Sequence, residues 1–202
     1  VVYLLAGSSE LCFVAEAAAD PTIVAADLLS QAEHDPSARP WLVTTDPALV
    51  PRVERELAAQ LTTLPTAETA RTALAGGGAV VCGDVDEVVR VVDRLAPEHL
   101  QLAGADAAAL APRFAHYGAL FFGERGAEVL GDYGAGPNHV LPTGGAARFT
   151  GGLSVFTFLR VRTWLCVDGA ADALLDDAAR LADHEGLPAH AAAARRRLGA
   201  RP

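Results

Sequence analysis

The feature that most constrains this chain is the alternation, along residues 11–122, of short uninterrupted apolar runs with longer stretches of helical period. Apolar runs at 11–14, 41–44, 80–82, 100–102 and 119–122 read as strands, and another at 1–5 precedes the turn Gly7-Ser8-Ser9-Glu10. Between them, 20–34, 47–61, 68–74, 86–95 and 106–114 carry apolar residues at helical spacing. Asp20-Pro21 supplies an N-cap and a proline at the first helical position, and Asp35-Pro36 halts the run, so this helix is expected to end at His34. Strands that are continuous apolar runs are buried on both faces. The expected fold class is therefore α/β, an open parallel-type sheet with helices on both faces that forms an incomplete Rossmann-like unit. Such sheets carry their sites at strand ends and in the adjoining loops.

The alternation stops at 123–152, a stretch rich in Gly and Pro with no strong periodicity. A loop of that length inside a compact domain is either functional or disordered, and its Asp, Tyr, Asn, His and Arg residues favour function. Beyond it, 153–166, 171–182 and 187–198 read as helices with no strand between them. A domain change is accordingly expected near Gly152. It separates a partial α/β catalytic domain over 1–152 from a small all-helical C-terminal tail over 153–202.

Charge narrows the function. All sixteen cations are arginine, and the net charge of -9 opposes nucleic-acid binding, which needs clustered cations. The cluster Arg195 to Arg197 reads as a solvated helix end. Without lysine there is no Schiff base, no P-loop lysine and no lysine base, so any chemistry must use His, Asp, Glu, Ser, Cys or a metal. No apolar run approaches the roughly 20 residues of a membrane-spanning helix, and no charged leader opens the chain, so a cytoplasmic protein is expected. Cys12, Cys82 and Cys166 are far apart and form no C-x-x-C pair, and they read as buried apolar residues in a reducing compartment. The glycines at 76–78 precede a strand rather than follow one and make no dinucleotide fingerprint.

Histidines and carboxylates supply the candidates. Gln31 and His34, three residues apart at a helix end, can converge on one ion, and the same pair also reads as an exposed polar helix end. Pro97-Glu98-His99 sets an acid beside an imidazole just ahead of a strand, a pairing that can divide acid and base roles if both turn into one cleft. The segment from Gly131-Asp132-Tyr133 to His139-Val140-Leu141-Pro142-Thr143 combines permissive glycines with Asp132 and His139, each able to ligate or to move a proton. Glu185 and His190 flank Pro188, which prevents His184-Glu185 from opening a zincin helix.

Taken together, Ser9-Glu10, the run Asp27 to His34, Pro97-Glu98-His99-Leu100, the Gly131 to Thr143 block, and Glu185 with His190 five residues on resemble, in order and spacing, the histidinol dehydrogenase family. The resemblance implies one Zn²⁺ per subunit held by Gln31, His34, Asp132 and His190, and L-histidinol contacted by these and by Ser9, His99, His139 and Glu185. It further implies NAD as the oxidant in two hydride transfers, from L-histidinol through L-histidinaldehyde to L-histidine. His99 would be the base for the hydroxyl proton, and Glu98 would activate the water that attacks the aldehyde. Family members are homodimers whose helical tail reaches the partner's site, so Glu185 and His190 would act in trans.

Two departures bear on that reading. The family's Gly-Pro-Ser-Glu turn appears as Gly7-Ser8-Ser9-Glu10, without the proline. Family members also run to about twice this length, so the chain is expected to be their C-terminal half, with the NAD-binding positions in the half that precedes it. A paralogue that oxidises another small alcohol and a catalytically inactive remnant that binds zinc remain alternatives; a substrate panel and a zinc assay separate them.

Overall fold

The computed structural model describes residues 7–123, 125–167 and 169–199, so the strand expected at 1–5 lies outside the described residues. The chain divides into two compact units between Leu159 and Arg160, where the sequence reading placed the change near Gly152.

In the first unit, β1 (Glu10–Ala15), β2 (Arg39–Thr44), β3 (Gly78–Val81), β4 (His99–Ala103) and β5 (Ala119–Phe122) form one parallel sheet in the order β3-β2-β1-β4-β5. This is the open parallel sheet of the sequence expectation. The alternation of side chains along β1 explains how both faces are covered. Leu11, Phe13 and Ala15 pack with Val24, Ala25 and Leu28 of α1 (Pro21–Ala32) and Leu49 and Val53 of α2 (Leu49–Gln60). Cys12 and Val14 belong to a second cluster with Leu100, Leu102, and Val88 and Val92 of α4 (Val85–Leu95). Ala70 and Ala73 of α3 (Ala67–Gly76) extend the core beneath Leu29 and Ala32.

Helix starts follow their caps. Asp20 accepts from Thr22 N at 2.8 Å ahead of Pro21, and Asp84 accepts from Glu87 N at 2.7 Å at the head of α4. The first helix stops earlier than its sequence suggests, at Ala32, with His34 in the turn beyond it. Pro36 disfavours helical backbone at Asp35, and Asp35 instead accepts from Ser37 N at 2.8 Å in a tight polar turn.

The expected helix at 106–114 is one turn, α5 (Ala107–Leu110), followed by a 3₁₀ turn at Ala111–Arg113. The long loop holds another short helix, α6 (Val129–Asp132), and a 3₁₀ turn at Ala146–Arg148. The helix expected at 153–166 does not form: only Val155–Phe158 makes a 3₁₀ turn, after Ser154, and the rest is irregular. Val155, Phe156, Thr157, Phe158, Val161 and Trp164 are β-branched or aromatic, and such residues lose side-chain freedom in a helix. Cys166, in that irregular stretch, is exposed, contrary to the expectation of a buried residue, whereas Cys12 and Cys82 are buried.

The second unit pairs α7 (Asp172–His184) with α8 (Pro188–Arg195) through buried Ala179, Ala182 and Ala191. Arg195 pairs with Asp183 across the two helices. No helix among the described residues is long and apolar enough to cross a membrane.

Candidate active site

The strand order reverses across β1 and β4, and parallel sheets of this kind usually take ligands at the carboxyl ends of the strands at that point. A cavity of about 420 Å³ does lie at the carboxyl ends of β1 and β2, but its chemistry opposes phosphate. Residues 16–20, which lead from β1 to α1, contain no glycine; Asp20 already accepts from Thr22 N; and Glu16 and Asp106 put carboxylates into the lining. The titratable cluster sits instead at the opposite edge, at the amino ends of β1 and β4.

His99 opens β4 and Glu10 opens β1, and the parallel register sets Leu11 against His99. The His99 ring is buried, with Nδ1 3.1 Å from the Glu10 carbonyl oxygen. A carbonyl can only accept, so Nδ1 carries the hydrogen and Nε2 keeps its lone pair. The ring also lies against Phe121 of β5, with centroids 6.1 Å apart.

Glu98 reaches the same place from the end of α4. That helix stops at Ala96, which takes the left-handed conformation at φ 48°, and Pro97 turns the chain towards β4. Glu98 Oε2 accepts from Glu10 N at 3.0 Å and lies 3.6 Å from His99 Nδ1. Gly118 packs on this turn, where a Cβ would come within 2.5 Å of the Glu98 carbonyl oxygen. The Glu98 carboxyl and the His99 ring thus lie side by side at the amino ends of β1 and β4.

Burial, with the neighbouring Glu10 and Asp132 carboxylates adding to it, pushes the Glu98 carboxyl up from an ordinary value of 4.5 to about 7. Burial also lowers the His99 imidazole, which the contact with the Glu10 carbonyl partly offsets. A carboxyl raised on folding keeps a proton that the unfolded chain has already released, so its contribution to stability falls as pH rises between the two values. In the metal-free protein, stability to urea is thus expected to decline from pH 4.5 to pH 7, and Glu98→Gln is expected to flatten that decline. An unchanged slope in the variant would remove Glu98 as its source.

Two of the expected metal ligands come together. His34 and Asp132 place ligand atoms within 4.8 Å of each other, with Glu128 as a third member of the group. Glu128 was not among the sequence candidates. The signal that could have found it is its spacing from Asp132, four residues along a short helical turn. Gly131 is needed here, because a Cβ at that position would come within 2.6 Å of the Phe121 ring. Gln31 is fully buried one turn before His34, and neither its amide nitrogen nor its amide oxygen has a partner among the described residues. An orphaned buried amide beside a mixed nitrogen and oxygen donor group fits a borderline cation such as zinc.

The remaining expected residues are more dispersed. Ser9 is half-buried ahead of β1, and its carbonyl accepts from Arg39 N at 2.9 Å. Thr143, in the long loop, accepts from Gly7 N at 2.5 Å, and Gly144 N donates to Glu10 Oε1 at 3.2 Å, so the loop is tied to the start of β1. His139 is exposed in that loop, where Asn138 bonds both the N–H and the carbonyl of Val140 and fixes the backbone around it. Glu185 and His190 belong to the second unit, at the end of α7 and in the first turn of α8, and both are exposed there.

A Rossmann-like sheet that buries an imidazole between carboxylates and sets a mixed donor group beside it defines an α/β protein with an acid–base and cation-competent centre. The family model for histidinol dehydrogenase matches residues 2–198, and the chain belongs to that family. It is 48% identical over 188 residues to histidinol dehydrogenase of Thermus thermophilus, covering 93% of this chain and 46% of the relative. To that of Nitratidesulfovibrio vulgaris it is 53% identical over 183 residues, covering 90% and 42%. The crystal structure of histidinol dehydrogenase from Elizabethkingia anophelis matches with a TM-score of 0.84 at 34% identity, over 96% of this chain and 45% of that one. The chain thus spans under half the length of these relatives.

Proposed function

We propose that this chain supplies the zinc- and substrate-binding part of a cytoplasmic enzyme that oxidises L-histidinol, through L-histidinaldehyde, to L-histidine. The observation that carries the reading is the His99 ring, held by its Nδ1 hydrogen on the Glu10 carbonyl with Nε2 left free as a base and Glu98 alongside. His99 Nε2 takes the hydroxyl proton in the first oxidation. Glu98, with a carboxyl poised near neutrality, takes a proton from the water that adds to the aldehyde. Ser9, His139 and Glu185 contact the substrate.

Gln31, His34 and Asp132, completed by His190, are the residues that would hold zinc. Bound there, zinc would supply a fixed positive charge that orients the nitrogens of histidinol, and NAD, held outside these residues, would supply the hydride acceptor. The homodimer implied by the family resemblance is supported by the apolar side chains left in the open between 155 and 165. Phe156 is 76% exposed, Val161 94% and Trp164 87%, and patches of that kind are usually covered by another chain. In that arrangement Glu185 and His190 serve the partner's site.

The complete protein carrying this chain, given zinc and NAD, is expected to form NADH from L-histidinol and again from L-histidinaldehyde. Bound zinc without NADH from either compound would leave a metal-binding protein and refute the enzymatic reading. NADH from other small alcohols but not from histidinol would make it a paralogue.

A further inference from the structure

We propose that Glu128 acts on the reaction through His99, as the positioning carboxylate that orients the ring and balances the charge it gains at Nε2. The proposal rests on the histidinol-oxidising reading, within which Glu128 has had no part. Glu128 is only 2% exposed, yet it is neither a stray surface acid nor half of an arginine pair. Its Oε1 lies 3.8 Å from His99 Nε2, too far for a hydrogen bond and near enough for charge to act.

Glu128 is held there at two points, one on its backbone and one on its carboxyl. Its backbone N–H donates to Gln101 Oε1 at 3.3 Å, and the Ser30 hydroxyl, which donates to the Asp27 carbonyl at 2.8 Å, lies 3.5 Å from its Oε2. Gln101 is itself fixed, donating through Nε2 to Asp27 at 2.6 Å. This chain of bonds joins α1, β4 and the loop that carries Glu128, and each link is buried or half-buried.

The direction of the effect follows from the tautomer. Nδ1 is committed to the Glu10 carbonyl, so a proton taken from substrate arrives at Nε2, on the side that faces Glu128. Glu98 lies near Nδ1 instead, which leaves it free for water. A carboxylate set against an imidazole that must become positive lowers the cost of that charge and keeps the ring from turning.

The competing role is ligation, since Glu128 also groups with His34 and Asp132. The test uses the complete protein with Glu128→Gln, which keeps the shape and the Ser30 contact and removes the ionisable carboxyl. The expected result is a fall in kcat of about 10- to 100-fold with KM for histidinol and zinc content per chain unchanged. In a His99→Asn background the same change is expected to cost nothing further, because the two residues act as one unit. Loss of zinc, a rise in KM alone, or an equal fall in both backgrounds would overturn the proposal. The ¹⁵N resonances of the His99 ring give a reading that does not depend on turnover: they report which ring nitrogen carries the hydrogen and how the ring is held, and Glu128→Gln is expected to shift them from their values in the parent. If the parent forms no NADH from histidinol, the enzymatic reading fails while this measurement still decides on Glu128, and unmoved ring resonances would refute it.

Discussion

Changing His99 to Asn in the complete protein is expected to lower the rate of NADH formation from L-histidinol by about 10²- to 10⁴-fold, the usual worth of a positioned base. The substitution separates the two things His99 does. An asparagine amide can donate to the Glu10 carbonyl as Nδ1 does, so the junction between β1 and β4 keeps its contact. It offers no lone pair with the basicity of Nε2, so the hydroxyl proton has no acceptor at that point. In the proposed function each oxidation releases a proton at His99, so both are expected to be affected. The check is kcat and KM for histidinol and for histidinaldehyde, with thermal unfolding alongside. A variant that folds as the parent does and keeps kcat within tenfold would show that the proton leaves by another route.

The sequence foretells the sheet much better than it foretells the site. Strands β1, β2 and β4 stand out because a strand buried on both faces must be apolar throughout, as Leu11 to Val14 are, and β5 is equally apolar although it lies half-buried at the sheet edge with Phe122 exposed. The capped start of α1 at Asp20-Pro21 is equally local. What stays hidden is what depends on distant neighbours. The pairing of Glu98 with His99 is visible as adjacent letters, but its meaning depends on Glu10, which the strand register brings across from another part of the chain. Glu128 is harder still, since its place is set by Gln101 and Ser30, neither of which has any reason to stand out. The stretch 153–166 misleads in the opposite sense: its apolar residues suggest a helix with a buried face, while their β-branched and aromatic character favours extended chain. Several of those apolar side chains remain exposed in this chain, so periodicity there reports a surface that something else is expected to cover.

Gln31→Leu separates the structural from the metal-binding account of the most unusual side chain in the core. Gln31 is wholly buried, and both polar atoms of its amide lack partners, an arrangement that costs about 1–3 kcal/mol in a folded protein. Such a residue is satisfied by a group that the described residues do not include, and in the proposed function that group is zinc. Leucine has similar volume, forms helix well and hides no polar atom, so the metal-free variant is expected to be more stable than the metal-free parent by about the same 1–3 kcal/mol. With zinc present the order is expected to reverse: the parent gains stability from an ion that binds only its folded form, while the variant has lost a ligand and gains little. Urea unfolding with and without zinc, with metal content per chain measured in parallel, gives both signs in one experiment. If the variant holds zinc as the parent does, Gln31 is not a ligand. If the metal-free variant is the less stable, the amide has a partner within the fold and its burial needs no metal to explain it.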